Sequence, residues 1–260
     1  MIARLVVGFA LACIIALAAW RAGSLSRSGA VAAVVVGTVC IAAGWGWGIL
    51  LIAFFIVSSA LSRVGERGKI RRTEAIVAKG GERDVVQVLA NGGLFALAAV
   101  LSLVVPWTGW AVLGAGALAA AAADTWGTEL GTLASAPPRL ITTWRAVPAG
   151  TSGGVTIAGL IATTAGALFI GVIAWLLRWP APAAAAAVVG GIAGALADSV
   201  IGALWQGRRW CTRCQATTER SVHSCGGATE HAGGARWLDN DAVNLLSGVV
   251  GAAVALLVAW

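Results

Sequence analysis

Ala181–Trp205, APAAAAAVVGGIAGALADSVIGALW, is long enough to cross a bilayer and carries one charge, Asp198. A membrane-spanning helix needs ~20 apolar residues, and a helix that is apolar all round has no face to offer water. Seven other stretches read the same way: Ile2–Trp20, Gly29–Ala43, Trp45–Leu61, Val85–Val105, Trp107–Leu133, Gly153–Leu177 and Asp241–Trp260. The second and third are short and nearly continuous, which requires a tight turn at Gly44–Trp45. The first also reads as a signal peptide, with Arg4 ahead of the apolar run and Ala16-Leu17-Ala18 resembling a cleavage site. A retained helix is preferred, because it puts the next charges on the same side as the others. The expected fold is all-α: a polytopic helical membrane protein of about eight transmembrane helices, forming one domain over residues 1–260.

Composition agrees. Of the 260 residues, 59% are hydrophobic and 11% charged, against ~25% charged in soluble domains. The mean hydropathy is +0.87. An ordinary cytosolic enzyme, a disordered chain and a disulfide-rich secreted module are excluded. So is an outer-membrane barrel, because the apolar segments are continuous rather than alternating. The 18 basic and 11 acidic residues leave a charge of +7, which suits anionic lipid and phosphorylated ligands. No nucleic-acid partner is expected.

The basic residues set the orientation. Sixteen of the 18 fall in Arg21–Ser28, Ser62–Asp84, Ala134–Ser152 and Gln206–Asn240, and only Arg4 and Arg178 lie on the other side. By the positive-inside rule those four connections face the cytoplasm. Trp45, Trp47, Trp107, Trp110, Trp175, Trp179 and Trp260 then form an outer aromatic belt, and Trp20, Trp144, Trp205 and Trp210 an inner one. A faint repeat pairs Ser28-Gly29, Asn91-Gly92-Gly93 and Ser152-Gly153-Gly154 with Ser58-Ser59, Ala123-Asp124-Thr125 and Ala197-Asp198-Ser199. It suggests three tandem helical hairpins with a helix at each end.

Acidic residues carry the functional signal. Asp124 and Asp198 lie inside apolar spans, where a carboxylate costs at least ~2.5–3.5 kcal/mol on insertion scales. Such a residue normally faces a cavity, a partner or an ion. Glu129 lies five residues beyond Asp124, ~140° round an unbroken helix. Asp239 and Asp241 flank Asn240 at the start of the last span, with Asn244 a turn further in. Asp241 also reads as a simple helix cap. Pro148-Ala149-Gly150-Thr151-Ser152-Gly153-Gly154 reads as a glycine-rich helix start open to a phosphate. Lys79, Arg83, Arg139 and Arg145 flank the polar spans and supply charge for phosphates. Together these residues suggest Mg²⁺, which takes hard oxygen ligands and often substrate phosphate. No Walker, dinucleotide or zinc-protease motif is present.

Cysteines divide into two groups. Cys13 and Cys40 lie in spans and read as packing residues. Cys211, Cys214, His223 and Cys225 form C-x2-C-x8-H-x-C within the 206–240 connection, with His231 as an alternative ligand. Three thiols and an imidazole suit a structural Zn²⁺ that staples the loop.

These residues resemble a known integral membrane family, that of plant and cyanobacterial phytyl-phosphate kinases and animal transmembrane protein 19. The matching stretches are Gln87-Val-Leu-Ala-Asn-Gly-Gly93, Ala123-Asp-Thr-Trp-Gly-Thr-Glu-Leu-Gly131, Pro138-Arg-Leu-Ile-Thr-Thr143, Val147-Pro-Ala-Gly-Thr-Ser-Gly-Gly-Val155, Asp198-Ser-Val-Ile-Gly-Ala203 and Leu238-Asp-Asn-Asp-Ala-Val-Asn244. They run from about Ser24 to the C-terminus in the family's order. Ser152 stands where many members carry Asn, and the cysteine loop varies among relatives. The resemblance implies transfer of a phosphoryl group from a nucleoside triphosphate, CTP in the plant case, to an isoprenyl monophosphate. It maps family polar positions to Asn91, Asp124, Glu129, Asp198, Asn240, Asp241 and Asn244.

The expectation is therefore an Mg²⁺-dependent intramembrane prenyl-phosphate kinase using CTP or ATP on the cytoplasmic side. Asp124 and Asp198 are its expected catalytic residues, holding the metal with Glu129 and Asp241. Lys79, Arg83, Asn91, Arg139, Gly150, Thr151, Ser152, Gly153, Asn240 and Asn244 are expected to bind nucleotide and phosphate. The alternative is a proton- or cation-coupled transporter or lipid flippase working through Asp124 and Asp198.

Overall fold

The computed structural model describes residues 2–260. Nine helices follow in chain order: α1 Ile2–Arg21, α2 Arg27–Ala43, α3 Trp45–Arg63, α4 Glu66–Thr73, α5 Val85–Val104, α6 Gly109–Gly131, α7 Ile157–Leu176, α8 Ala181–Trp205 and α9 Asn240–Ala259. All but α4 coincide with the eight expected spans. Six of the eight, α1, α3, α5, α7, α8 and α9, are long and apolar enough to cross a membrane. The chain is thus a polytopic helical membrane protein, with two of the eight expected spans falling short, α2 in length and α6 in apolarity. At 17 residues α2 is short, and α6 spends its length on Gly, Ala, Asp124 and Glu129.

Local chemistry sets the helix ends. Ser26 caps α2 by accepting from the Gly29 N–H, and Gly44 alone separates α2 from α3. Asp84 and Gln87 form a reciprocal capping box that starts α5. Thr156 caps α7 and Asp239 caps α9. Arg178 turns the chain from α7 into α8 with a left-handed φ of 62°.

The bundle is built around α6, which is buried from Gly114 to Ala123. It packs against α3, α5, α7, α8 and α9. Small residues permit this, since lipid supplies no hydrophobic drive between helices and close backbone approach does the work. A side chain added at Gly251 would put its Cβ 2.7 Å from the Ala120 Cβ and 2.8 Å from the Gly116 carbonyl. Ser247 on α9 donates a buried hydrogen bond to the Gly194 carbonyl on α8 at 3.0 Å. By contrast, α1 leans mainly on α2 and leaves Ile2, Val6, Phe9 and Ile14 exposed. That apolar face has the character of a lipid-facing surface.

Two expectations about organisation change. Sequence-adjacent helices do pair, but α6 packs more extensively on α7 and α8 than on its hairpin partner α5. The three hairpins are therefore not separate packing units. The outer aromatic belt also loses two members. Trp47 is buried, with its ring 4.9 Å from Phe95 and 4.8 Å from Trp179. These rings join the core, while Trp45, Trp107, Trp175 and Trp260 stay exposed.

Short strands depart from a purely helical picture. β1 Arg139–Leu140 pairs antiparallel with β2 Gly154–Val155 in the α6–α7 connection. The α8–α9 connection folds into an antiparallel sheet in the order β4-β3-β5, from β3 Arg208–Cys211, β4 Ala216–Thr218 and β5 Thr229–Gly233. Hydrogen bonds knit the long connections at one end of the bundle. Arg63 reaches the Ala22 carbonyl at 2.8 Å, Arg72 the Thr132 carbonyl at 2.9 Å, and the Glu219 N–H the Ile76 carbonyl at 2.9 Å.

Candidate active site

The four long connections surround a cavity of about 1160 Å³ that penetrates the bundle between α3, α6, α7, α8 and α9. Its depth comes from the small residues of α6, α7 and α8, which leave space where polar side chains point inward. Asp124 on α6 and Asp198 on α8 line it, with Glu129, Asp241, Asn91, Asn240 and Asn244. So do Lys79, Arg83 and Gly150 to Gly153. Most of the residues singled out from sequence therefore meet in one place. Arg139 does not: it is exposed and donates to the Trp144 carbonyl at 2.8 Å, outside the cavity lining. Arg145 likewise stays outside.

The carboxylates differ in how free they are. Asp198 Oδ2 is buried without a hydrogen-bond partner. Asp241 is buried, with Oδ2 accepting from Lys79 at 2.5 Å and Oδ1 unpartnered. The helix cap is the neighbouring Asp239, which accepts from the Ala242 N–H at 3.0 Å, so Asp241 is free to face the cavity. Glu129 is not free. One oxygen accepts from Ser62 at 2.6 Å and the other pairs with the buried Lys69. The helix between Asp124 and Glu129 is unbroken, and two other helices supply the Glu129 partners, Ser62 from α3 and Lys69 from α4. Buried unpaired carboxylate oxygens are expensive, and on Asp198 and Asp241 they match what a hard divalent cation requires.

The cations also differ. Lys79 bridges Asp84 at 2.9 Å and Asp241. Burial works against its charge, but hydrogen bonds to Asp241 and Asp84 outweigh that and raise its pKa. Arg83 donates to Ser59 at 2.9 Å and Ser62 at 3.1 Å and, among the described residues, pairs with no carboxylate. Burial lowers its pKa, with the nearby Glu129 charge opposing the shift. A guanidinium held by two hydroxyls, with Glu129 nearby but not in ion-pair contact, keeps N–H donors for an anion in the cavity.

The glycine-rich stretch sits differently from expectation. α7 starts at Ile157, so Gly150–Gly154 precede the helix instead of forming its first turn. Gly150 and Gly153 take left-handed φ values of 89° and 77°. A Cβ at Gly153 would lie 2.5 Å from the Ser199 carbonyl and from the Ala203 Cβ, so this glycine seats the loop against α8 beside Asp198. Thr156 meanwhile satisfies the Gly159 N–H at 3.0 Å. The glycine-rich stretch is therefore a loop at the cavity wall, not a bare helix end. Gly127 and Gly202 do not break their helices. A Cβ at Gly127 would lie 2.3 Å from Thr163 Oγ1, which makes it a close-approach residue.

Sequence reading missed several wall residues. Lys69, Ser59 and Ser62 lie on or near α3 and α4, and the only hint was the Ser58-Ser59 pair standing where the later spans carry Asp. Glu219 gave no sign at all. It sits beyond the cysteine pair, yet its carboxylate reaches the cavity and accepts from Ser152 and from Gln206, the latter at 2.9 Å. Burial pushes its pKa up, against the hydrogen bond from Ser152.

A second, apolar cleft opens from the same region between α1, α2, α3 and α5. Ile15, Val36, Leu51 and Phe55 line it, and it shares Arg83, Gln87, Asn91 and Thr125 with the polar cavity. The polar chamber and the apolar cleft thus lie side by side, with these four residues forming a shared wall.

Known proteins share this chain's sequence over most of its length. Protein PGR of Arabidopsis thaliana is 34% identical over 272 residues, which span 94% of this chain and 92% of that protein. An uncharacterized membrane protein of Methanocaldococcus jannaschii is 36% identical over 206 residues, 78% of this chain and 84% of its own. Protein VTE6, chloroplastic, of Arabidopsis thaliana is 27% identical over 244 residues, 90% of this chain and 65% of its own. No solved structure matches the chain significantly. The family described as integral membrane protein DUF92 matches residues 10–252, a stretch that takes in the helices and loops forming the cavity, and the chain belongs to that family.

Proposed function

We propose that the protein is an intramembrane kinase that moves a phosphoryl group from a nucleoside triphosphate, CTP by preference, to an isoprenyl monophosphate. The observation that carries this reading is the adjacency of the two spaces: a chamber with carboxylates and cations shares Arg83, Gln87, Asn91 and Thr125 with an apolar cleft. A lipid phosphate has that shape, with a charged head and an apolar tail. The motif resemblance to phytyl-phosphate kinases supports the same substrate class.

In this reading the triphosphate lies in the chamber, which opens to the cytoplasm. Arg83 holds phosphate oxygens, oriented by Ser59 and Ser62. The Gly150–Gly153 loop lets phosphate approach its backbone, while Asn91, Asn240 and Asn244 offer amide donors. Asp124, Asp198 and Asp241 would hold Mg²⁺, which when bound neutralises charge on the transferring group. Glu129 instead fixes Lys69 at the wall. An oxygen of the acceptor monophosphate attacks the terminal phosphorus, that P–O bond forms, and the bond to the bridging oxygen of the nucleotide breaks. The acceptor is already an anion, so no strong base is needed. Catalysis reduces to positioning and charge balance.

The competing transporter or flippase reading needs a site reached from both sides in turn. Every polar group in the chamber lies toward the end with the long connections, which favours the kinase. The test is an assay of purified protein with labelled CTP and ATP against a panel of prenyl monophosphates. Labelled diphosphate from at least one pair is expected. No transfer with any pair, together with proton-coupled flux in vesicles, would replace this reading with the transporter.

A further inference from the structure

The α8–α9 connection holds a cluster that phosphoryl transfer does not use. Cys211 ends β3 and Cys214 lies in the turn to β4. His223 and Cys225 lie in a second turn before β5. Gln215 and Gly226 take left-handed φ values of 52° and 81°, so each ligand pair sits on its own tight turn. The second turn is closed by the His223 N–H donating to the Gly227 carbonyl at 2.9 Å. Ligand atoms of Cys211, Cys214, His223 and Cys225 all lie within 4.8 Å of one another. The sulfurs of Cys211 and Cys225 are 3.7 Å apart. A tetrahedral site with Zn–S of ~2.3 Å has ligand atoms ~3.8 Å apart. His223 is 6% exposed and its Nε2 has no hydrogen-bond partner. Its Nδ1 accepts from the Cys225 N–H at 3.4 Å, so Nε2 is the ring nitrogen left buried without a partner among the described residues. His231, the alternative ligand, stands in β5 outside the cluster.

We propose that these four residues bind one Zn²⁺, and that the ion clamps the rim of the polar chamber. The clamp follows from what lies between the two ligand pairs. The segment from Thr218 to Arg220 is tied to the α4–α5 connection and to the chamber wall. Thr218 is fully buried and donates to the Ile76 carbonyl at 3.3 Å. The Glu219 N–H donates to the same carbonyl at 2.9 Å, while its carboxylate takes Ser152 and Gln206. Arg220 reaches the Glu74 and Val77 carbonyls at 3.4 Å. One ion on both flanking turns fixes the two ends of this segment. Through it, the ion orders Lys79's loop and the Ser152 loop, two connections that are non-helical at that point. A zinc ion gives a small sheet with little apolar core the stability it lacks.

The test uses the full chain purified in detergent. Metal analysis should find about one Zn²⁺ per chain. Co²⁺ in its place should give the intense visible absorption of a tetrahedral thiolate site, and Cys211→Ser and Cys214→Ser should lose it. Stripping zinc with a chelator should speed amide exchange at least ~10-fold across residues 208–233 and also across 74–79. Exchange in α6 and α8 should stay slow, and Zn²⁺ alone should reverse the effect. A chain with no zinc and no Co²⁺ band overturns the site. Fast exchange confined to 208–233 overturns the clamp. None of these readouts measures phosphoryl transfer, so they fail or succeed apart from the kinase reading.

Discussion

Asp198 presents a buried oxygen with no donor, and the charge on such a group is either useful or a burden. The Asn substitutions separate the two. If Asp124 and Asp198 are only buried charges, Asp124→Asn and Asp198→Asn leave function intact and stability equal or better. If they hold the metal, each variant stays folded in detergent and loses at least ~10²-fold in transfer rate. Rates for both variants beside the parent decide it, and full turnover in both would remove these aspartates from the mechanism. The Lys69–Glu129 pair behaves differently because it is complete. Lys69→Met alone leaves Glu129 with Ser62 and only the more distant Arg83 charge, a loss below the ~3–5 kcal/mol of a fully buried broken pair. The double variant Lys69→Met with Glu129→Leu should recover most of that. Thermal unfolding of the single and double variants measures the coupling. Equal stability of the single variant and the parent would mean that water reaches the pair.

Among the helices, stability rests on close approach rather than on large side chains. Gly251→Val would drive a side chain into Ala120 and the Gly116 backbone, and should cost ~1–3 kcal/mol or more. Gly68→Ala on α4 is the control, since nothing lies within 4 Å of its added Cβ. It should be neutral or slightly stabilising. The unfolding midpoints in detergent should therefore fall for the first variant only. The sheet between α8 and α9 carries its own signature through Glu219. Its pKa is raised by burial, so the folded state holds the proton more tightly than the unfolded chain. Stability from that proton is full below the ordinary Glu value of ~4.3 and is lost as pH rises through the raised value. Glu219→Gln removes the loss. The variant should match the parent at pH 4 and unfold at a higher temperature at pH 7. A pH-independent difference would contradict the assignment.

For the whole molecule, the decisive property is that the polar chamber is walled by the long connections at one end of the bundle. That end carries the basic connections, so the chamber should face the cytoplasm. Single substitutions Arg71→Cys and Arg208→Cys should react with an impermeant thiol reagent from the inside, and Arg178→Cys from the outside. The parent chain serves as the control for its own thiols. Labelling of Arg178→Cys and Arg208→Cys from the same face would overturn the topology and, with it, access of a soluble nucleotide to Asp124 and Asp198.

Hydropathy located the eight apolar helices, six of them long and apolar enough to cross a membrane, because a lipid-facing helix must be apolar along its length. The expense of a carboxylate at depth likewise picked out Asp124 and Asp198, while Asp241, at the mouth of the last span, also read as a helix cap. What sequence could not decide was which polar groups meet. Asp239 and Asp241 look alike in the chain, yet one caps α9 and the other faces Lys79, a difference set by helix rotation. Arg83 and Arg139 are equally basic, but only the first turns inward, because Ser59 and Ser62 wait on α3. Glu219 lies far from Ser152 in sequence and meets it only when the α8–α9 sheet folds over the chamber. Period and composition act along the chain, so they fix its spans; the chamber depends on contacts between spans, which only packing around α6 brings about.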